Sequence, residues 1–511
     1  MDRKDFLTGI TASITGLMTF PALLYSNSYL KRDEWSRIIS RDVNFPDLTY
    51  PEDKRIPLGW DVFPVQANGM FHKETKTTLL FPEANHITEE AWLRITAAID
   101  IREKILITVQ LAESGSQIGE FDIKYAHPFQ PFQIPLDPLT MKEVSREGVS
   151  LKMIKGSHDA WFFQPDSNRA YNEGLQPQII TGQSTNPKAE FRKNLMSMNS
   201  FSPFGWMGGC VNDALYVMAK DGDMQAMKTL KEQLGMYLDY DNGVIFENPR
   251  SETLLGTFNS IEDFLPFAAI SGLYPDHPSI KMALNFLMSR ERDDGLIATG
   301  SITTEGCYTV AYPLAAIAVV RNDSHLARKA LTQIRFRTHY LTNEKSIFQR
   351  SSQDGEQSFE NWGRGVTWYL LGIAKTLEIL RHGNFDRFDE LPEIEREFQR
   401  AIEQVAKLQN KSGLWYSFLD REDTNIDTSA SAGIAAAILI GINLGLVNST
   451  YQTSVAKTYQ SLLNYITPDG FLTHISQINR GGEELQAGGY RVISQFGIGL
   501  LAQLEHYLKT S

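Results

Sequence analysis

The chain has 511 residues, of which 42% are hydrophobic and 22% charged, a composition typical of a globular protein long enough for two or three domains. Its formal net charge is −12 and no basic block interrupts it, which argues against a nucleic-acid partner. Two cysteines, Cys210 and Cys307, are too few for a disulfide framework, and we expect both to be small buried residues. No cysteine pair or histidine cluster has the spacing of a zinc site, so we expect no metal and no organic cofactor.

Residues 1–28 have the pattern of an export signal. Arg3 and Lys4 precede a weakly apolar stretch from Phe6 to about Tyr25, and "RKDFL" is similar to a twin-arginine signal with lysine in place of the second arginine. This pattern predicts a periplasmic or extracellular protein, with an N-terminal membrane anchor as the alternative. No later stretch reaches the ~18 apolar residues of a membrane helix, so we expect no membrane association once the signal is removed.

Residues 29–187 are predicted to form an antiparallel β-sandwich with its linkers. The runs "KILITVQLA", "GEFDIKYAHPFQPFQIPL", "GVSLKMIKG" and "DAWFFQP" are strand-like and are separated by Gly, Ser, Pro and Asp. Several such runs within about 120 residues are typical of a sandwich. The run "TEEAWLRITAAIDI" fits a helix or a strand, and we favour a strand.

Residues 188–511 change to a helical rhythm with an internal repeat. Five turns, "DNGVIF", "DDGLIA", "EKSIFQ", "KSGLWY" and "PDGFLT", have their third positions at Gly243, Gly295, Ser346, Gly413 and Gly470. Spacings of 52, 51, 67 and 57 residues fit one helical hairpin per repeat. Six helices of small and apolar residues alternate with helices charged on one side, such as "LPEIEREFQRAIEQVAKLQ". The pattern predicts an α/α toroid, an (α/α)6 barrel of six hairpins, as the catalytic domain.

In such a toroid the inner helices run parallel, so their N-termini meet at one mouth. Polar and aromatic residues gather near the six predicted starts: Trp206, Asp213, Glu262, Asp263, Glu305, Trp362, Arg364, Trp368, Asp427, Tyr490 and Arg491. Aromatic faces pack on sugar rings, carboxylic acids protonate glycosidic oxygens, and arginine grips carboxylates. The set predicts an oligosaccharide substrate containing uronic acid, with Arg364 on its carboxylate and Arg491 or Arg350 assisting. Each residue alone also has a structural interpretation, as a helix cap, a salt-bridge partner or a core side chain.

Two motifs resemble the unsaturated uronyl hydrolases, which include unsaturated rhamnogalacturonyl and glucuronyl hydrolases. "WGRGVTW" is similar to their W-[AG]-R-G-x-x-W signature, and "SGLWYSFLDREDTNIDTSASAGIAAAI" to a later motif in which G-L-W-Y is followed by E-[ST]-S-x-[ST]-A. The resemblance covers roughly residues 200–511 and implies an (α/α)6 barrel that removes a terminal 4,5-unsaturated uronic acid. It implies that Arg364 and Trp368 surround the sugar and that the catalytic acid is Glu262 or Asp263, in "SIEDFLPF".

The sequence departs from that family in several places. "SIEDFLPF" lacks a preceding Trp and a following aromatic–Met pair, which leaves the choice between Glu262 and Asp263 open. Arg350 stands where the family commonly has His, and Asp427 where it has Glu. An added N-terminal sandwich is more similar to β-glucuronidases of the same barrel class, which act on saturated glucuronic acid. We therefore expect exo-hydrolysis of a terminal uronic acid, saturated or unsaturated, and the sandwich and the extra arginine slightly favour the saturated one.

The hypothesis assigns a role to each group at the mouth. Glu262 or Asp263 donates a proton, with its pKa raised by burial and by neighbouring carboxylates. Trp368 or Trp206 stacks on the sugar ring. A saturated substrate requires a second acid, Glu305 or Asp213, whereas with an unsaturated substrate one acid protonates the double bond and then positions water.

Three other classes of protein fit parts of the pattern. A polysaccharide lyase would use Tyr308 or Tyr490 as the base that takes the C5 proton, although lyases of this build usually have their β domain after the toroid. A non-catalytic glycan-binding protein would bind without turnover. A sugar epimerase would need paired histidines at the mouth, and no histidine lies in the six inner-helix starts. The oligomeric state stays open, a homo-oligomer included.

Overall fold

The structure is a computed structural model that describes residues 35–56, 59–67, 76–166 and 170–510. The predicted export signal, residues 1–28, lies outside the described residues, as does the start of the predicted β region. Within the described part, no helix combines the length and the apolar character needed to cross a bilayer.

The N-terminal part is rich in β-structure, as predicted. Its strands are β1 (Ser36–Ile39), β2 (Asp42–Asn44), β3 (Val62–Val65), β4 (Thr77–Leu80), β5 (Ala91–Thr96), β6 (Lys104–Leu111), β7 (Gln117–Lys124), β8 (Pro131–Leu136), β9 (Val149–Lys155), β10 (Ala160–Phe163) and β11 (Gln178–Thr181). Two antiparallel sheets dominate, with strand orders β1-β11-β5-β8 and β2-β4-β9-β6-β7, and β10 pairs with β3. Every strand-like run of the sequence forms a strand, including the ambiguous "AWLRIT" of β5.

The remainder of the chain is mainly helical. The helices are α1 (Met141–Glu147) in the β region, followed by α2 (Pro187–Leu195), α3 (Trp206–Lys220), α4 (Met224–Gly235), α5 (Phe267–Leu273), α6 (Pro278–Ser289), α7 (Tyr312–Arg321), α8 (Ser324–Leu341), α9 (Gly363–His382), α10 (Leu391–Lys407), α11 (Thr428–Asn443), α12 (Gln452–Leu462), α13 (Gly482–Ala487) and α14 (Gln495–Thr510). A 3₁₀ turn, Ile261–Phe264, leads into α5, and a π-helical turn, Cys307–Ala311, leads into α7.

Six helices pack side by side in a closed ring. Each contacts the next in the order α3, α5, α7, α9, α11 and α14, and α14 contacts α3 again. Outside them, α4 packs on α3, α6 on α5, α8 on α7, α10 on α9 and α12 on α11. Residues 428–441 of α11 are all buried, whereas α10 buries one face only, which is the difference that the sequence indicated. Cys210 and Cys307 are buried and unpaired, as expected.

The repeated turns give the ring its sharp reversals. Gly243, Gly295, Gly413 and Gly470 all have positive φ, between 78° and 92°. At Gly470 a Cβ atom would also lie 2.2 Å from the carbonyl oxygen of Glu190, so a side chain has no room there. These turns therefore require glycine at four of the five repeats.

Short strands form small sheets in the loops between the helices. They are β12 (Leu238–Asp239), β13 (Gly243–Glu247), β14 (Thr253–Leu255), β15 (Ile302–Thr303), β16 (Phe348–Ser351), β17 (Gln357–Glu360), β18 (Ile475–Ser476) and β19 (Arg491–Val492). One prediction is corrected here: the sixth inner helix begins at Gln495, so Tyr490 and Arg491 do not lie at a helix start. Val492 pairs with Ile475 and Arg491 with Ser476, because this β-branched stretch favours a strand.

A buried ion pair joins the β region to the helical ring. Both guanidinium Nη atoms of Arg94, on β5, bind the carboxylate of Asp469, at 2.6 and 3.1 Å. Arg37, on β1, donates to the same carboxylate at 3.0 Å. Asp469 belongs to the last repeated turn, so this turn also fixes the β region against the ring.

Candidate functional site

A cavity lies where the β region meets the starts of the inner helices. The β region contributes Asp100 and the segment His127–Phe129, and the helical part contributes the remaining walls. Among the polar and aromatic residues that line it are Asp100, His127, Trp206, Glu247, Asn248, Ser260, Glu262, Asp263 and Arg480. A second cavity is lined by the last residues of α3, α9, α11 and α14, among them Lys220, His382, Asn443 and Thr510. The ends of these four inner helices therefore lie together, whereas the start of α3 and the turn before α5 reach the first cavity.

The 3₁₀ turn before α5 gives Glu262 and Asp263 different tasks. The Oδ2 atom of Asp263 accepts hydrogen bonds from the backbone N–H groups of Asn259 and Ser260, at 2.7 and 3.0 Å. The hydroxyl oxygen of Ser260 in turn accepts from the Glu262 N–H, which completes a capping box. The half-buried Glu262 carboxyl receives no hydrogen bond from any described residue and lines the cavity. Asp263 thus caps the turn, and Glu262 is the acid that is free to meet a ligand.

Burial and neighbouring charge favour the protonated form of Glu262. Burial, with the carboxylates of Glu305 and Asp263, raises the pKa of Glu262 to about 8, against the opposing effect of Arg350 and Arg480. Burial also raises the pKa of Asp263, to about 6, although its two backbone hydrogen bonds act in the other direction. Glu262 is therefore mostly protonated at neutral pH.

Glu305 lies at the start of the third inner helix, close enough to Glu262 to influence its charge. Only 8% of the Glu305 residue is exposed, and its Oε2 atom accepts a hydrogen bond from the Gln349 side chain. The side-chain Oε1 atom of Gln349 in turn accepts a hydrogen bond from the Thr304 hydroxyl, which fixes the orientation of the side-chain amide. Gln349 therefore fixes a second carboxyl group, whose charge contributes to the raised pKa of Glu262.

Aromatic rings form a column beneath the cavity. Half-buried Trp206 lines the cavity, and its ring packs edge-on against Trp368 with a centroid distance of 5.5 Å. Trp368 is 3% exposed and stacks on Tyr308 at 5.9 Å. Trp206 is therefore the tryptophan that lines the cavity, and Trp368 packs against it from below.

Arg364 is placed differently from the sequence-based expectation. Its guanidinium group is buried and donates to the backbone carbonyl oxygens of Ser476 and Gln477, the latter at 2.7 Å. It also lies over the rings of Trp362 and Phe496, at 4.6 and 5.2 Å from their centroids. Burial lowers the pKa of Arg364 to about 10, so it stays charged at neutral pH. This arginine holds β18 against the start of α9 and does not line the cavity.

Asp213 lies at the centre of the ring rather than at the mouth. Its carboxylate accepts hydrogen bonds from the Tyr308 and Tyr312 hydroxyls, at 2.6 and 2.9 Å. Lys375 lies 3.0 Å from the same carboxylate, and both charged side chains are almost fully buried. Asp213 is thereby satisfied by three partners from the inner helices.

The other predicted residues have local partners. Asp427 caps α11 by accepting from the N–H groups of Ser429 and Ala430. Trp362 is buried in a cluster with Phe359 and Phe418. Tyr490 bonds the backbone of β7, and Arg491 donates to backbone carbonyls in the loop before α11. Of the predicted set, the structure brings Trp206, Glu262 and Asp263 to the cavity, with Glu305 and Arg350 near Glu262.

Arg350 and Arg480 are the arginines whose charge reaches Glu262. Arg350 is exposed on β16, and Arg480 lines the cavity just after β18. His127 also lines the cavity, with Nδ1 donating to the Pro128 carbonyl and Nε2 accepting from the Ser494 hydroxyl. Burial lowers the pKa of His127 to about 4, so this histidine is uncharged at neutral pH. No group of three or more His, Cys, Asp or Glu residues in the described ranges is arranged to hold a metal ion.

Sequence reasoning missed Asp100, His127 and Arg480. Two of them come from the β region, where no sequence motif marks them. Arg480 lies in "INRGGEE", a segment with no helix-start pattern. Only the folded chain brings them together, because the β region forms one wall of the cavity.

Comparison with known proteins supports the resemblance. Residues 305–507 match Glycosyl Hydrolase Family 88. Over 155 residues, 29% of this chain, the sequence is 30% identical to "Unsaturated rhamnogalacturonyl hydrolase YesR" from Bacillus subtilis (strain 168). The aligned part covers 42% of that relative, so this chain matches less than half of its length.

Solved structures are similar over more than half of this chain. A family 105 glycoside hydrolase from C. acetobutylicum ATCC 824 has a TM-score of 0.54 at 15% identity, covering 63% of this chain and 99% of that chain. A Salmonella enterica protein described as "a possible member of GH105 family" has a TM-score of 0.53 at 20% identity, covering 62% and 84%. These likenesses show a shared fold. The family match includes Glu305, Arg350 and Arg364, whereas Glu262 lies before it.

Proposed function

We propose that this protein is an exo-acting glycoside hydrolase that removes a terminal unsaturated uronic acid from an oligosaccharide. The observation on which the proposal rests is Glu262, a half-buried carboxyl group that lines the cavity without a hydrogen bond from any described residue and that the charges of Glu305 and Arg350 influence. The match to Glycosyl Hydrolase Family 88 and the similarity to an unsaturated rhamnogalacturonyl hydrolase support this chemistry.

We further propose the full architecture that the sequence predicted. The closed ring of six helices, with helices packed outside it, supports an (α/α)6 barrel over residues 188–511. The two antiparallel sheets support a β-sandwich over residues 29–187. Export through residues 1–28 to the periplasm or outside the cell fits a substrate derived from polysaccharide.

In the proposed reaction Glu262 is the central acid. It donates its proton to C4 of the sugar, and the C4=C5 double-bond electrons form the new C–H bond, leaving positive charge shared by C5 and the ring oxygen. Water then adds to C5 and returns a proton to the Glu262 carboxylate. The resulting hemiketal opens, and the aglycone leaves from C1 with its oxygen, so one water molecule is consumed.

Other cavity residues position the sugar. Trp206 offers an aromatic face to the ring, supported by Trp368. Arg350 is exposed and its charge acts on Glu262, which supports it as the group that binds the uronate carboxylate, the role first expected for Arg364. Glu305, held by Gln349, is placed to orient the water.

A β-glucuronidase that acts on saturated glucuronic acid is the second candidate. The observation that favours it is the pair of neighbouring carboxyl groups, Glu262 and Glu305, because hydrolysis of a saturated glycoside uses one acid and one base or nucleophile. The unsaturated substrate is preferred here because one protonated acid suffices for it.

Two substrates assayed in parallel separate the candidates. The purified protein would be incubated with an unsaturated uronyl disaccharide and with 4-nitrophenyl β-glucuronide, following loss of the double-bond absorbance and release of nitrophenol. We expect loss of the double bond only. Nitrophenol release alone would favour the saturated substrate, and silence in both assays would contradict both hydrolase proposals.

A further inference from the structure

Three arginines converge beside the cavity from separate parts of the chain. Arg102 follows β5, Arg250 lies between β13 and β14, and Arg480 follows β18. The Arg102 Nη1 atom donates to the Pro249 carbonyl oxygen at 3.1 Å, and the Arg480 Nη2 atom donates to the same oxygen at 3.3 Å. The two guanidinium groups are thus held close together by one acceptor.

The Asp100 carboxylate faces two of these three arginines. The Asp100 Oδ2 atom lies 3.6 Å from Arg102 and 4.0 Å from Arg480. Burial lowers the pKa of Arg480, and the charges of Arg102 and Arg250 lower it further. The group therefore has about two positive charges in excess, by count of its members.

The arginines also have unused donors. The buried Nη1 atom of Arg480 lies 4.0 Å from Asp100 Oδ2, beyond hydrogen-bond distance, and makes no hydrogen bond with a described residue. The Arg102 side chain is 43% exposed, and Arg250 is exposed. Guanidinium groups with free N–H donors match the oxygens of carboxylate and sulfate groups.

The arginine group borders the cavity that contains the proposed acid. Asp100 and Arg480 line the same cavity as Glu262, and the charge of Arg480 reaches the Glu262 carboxyl. Arg102 and Arg250 lie outward of Arg480, towards solvent. A chain whose terminal sugar lies at Glu262 would continue past these arginines.

We propose that Arg102, Arg250 and Arg480 form a subsite for an anionic group, carboxylate or sulfate, on the sugar next to the one released. This inference rests on the proposed function and narrows its substrate to acidic oligosaccharides. It also gives the β region a role, because Arg102 and Asp100 bring one wall of the subsite from that region.

The test compares three unsaturated disaccharides whose second sugar is neutral, carboxylated or sulfated. We expect the wild type to prefer an acidic second sugar. Arg102→Ala and Arg250→Ala should each reduce that preference, measured as a ratio of kcat/KM values, by about 10-fold, the loss of one charged hydrogen bond. If the variants lose more activity on the sulfated than on the carboxylated disaccharide, the subsite prefers sulfate, and the reverse result indicates carboxylate.

Arg387→Ala is the matched control, since Arg387 is 95% exposed and lies after α9, away from the cavity. It should keep the wild-type preference. An unchanged preference in both Arg102→Ala and Arg250→Ala would overturn the inference, as would a wild type without preference. Circular dichroism would confirm that the variants are folded.

Direct binding separates this inference from the proposed function. An acidic oligosaccharide with a saturated, uncleaved end would be titrated into the wild type and both variants by calorimetry. Salt-sensitive binding that is lost in the variants supports the subsite even if no substrate is turned over, which would contradict the hydrolase alone. Turnover with equal, salt-insensitive binding of neutral and acidic oligosaccharides would overturn the subsite alone.

Discussion

The centre of the helical ring and the cavity at its mouth both bury carboxyl groups, but they treat them in opposite ways. At the centre, Asp213 has two tyrosine hydroxyls and Lys375 as partners. At the mouth, Glu262 has carboxyl neighbours and no hydrogen bond from a described residue. A satisfied carboxylate stabilises a fold, whereas an unsatisfied one keeps a proton that can be transferred. The partners of a buried carboxyl group therefore distinguish a structural residue from a candidate catalytic residue better than its burial does.

The largest expected effect is on Glu262. Glu262→Gln should lower kcat for an unsaturated disaccharide about 10²- to 10⁴-fold, because it removes the proton donor. The folded state should keep its stability at neutral pH, since glutamine resembles the neutral acid.

The raised pKa of Glu262 also predicts a pH-dependent stability. The protonated carboxyl stabilises the folded wild type at low pH, and this contribution is lost as pH rises from about 4.5, the pKa of the unfolded chain, towards about 8, the pKa of the folded state. Chemical denaturation should show a flatter pH dependence in the variant.

At the centre of the ring we expect a substitution to lower stability, whereas at Glu262 it lowers activity. Lys375→Met leaves the Asp213 carboxylate buried without its cation and should lower the free energy of unfolding by about 3–5 kcal/mol. Urea denaturation measures this loss. Adding Asp213→Asn should recover part of it, and a single variant as stable as the wild type would remove the contrast with Glu262.

Substitutions of Arg350 and Arg364 distinguish a substrate-binding arginine from a structural one. Arg350→Ala should reduce kcat/KM for uronate substrates by about 10- to 100-fold, the equivalent of a charged hydrogen bond, with little effect on stability. Arg364→Lys should mainly destabilise, because lysine cannot span the carbonyls of Ser476 and Gln477 as a guanidinium does. Steady-state kinetics and thermal melting of both variants would distinguish these roles, and exchanged outcomes would restore Arg364 as the carboxylate-binding group.

The smallest effect concerns the capping residue. Asp263→Ala removes the acceptor for the Asn259 and Ser260 N–H groups and should cost about 1 kcal/mol of stability. Activity should fall far less than in Glu262→Gln. An equal loss of activity in the two variants would mean that the neighbouring acids share the proton.

Local pattern was enough to predict most elements of this fold. The strands and five of the six inner helices follow from periodicity and glycine turns. The family resemblance rests on two motifs, one at the start of α9 and one that runs from the preceding turn into α11. The roles of side chains were less accessible. Arg364 was expected at the mouth, but its partners Ser476 and Gln477 lie more than a hundred residues away, and only the fold brings them together.

The choice between Glu262 and Asp263 shows the same limit on a smaller scale. The sequence "NSIEDF" permits either acid to serve as a cap, and the backbone of the 3₁₀ turn decides it. Arg102 and Arg480 are further from prediction, because they meet at Pro249, in a loop of the ring that faces the β region.

The most direct test of the central claim is the pH dependence of kcat/KM on an unsaturated uronyl disaccharide. If Glu262 acts as the protonated acid, kcat/KM should be retained up to about pH 8 and then fall tenfold per pH unit, and Glu262→Gln should abolish this limb. A rate that instead rises through neutral pH as a carboxyl group ionises would contradict the account, because the reaction would then depend on a base at this position.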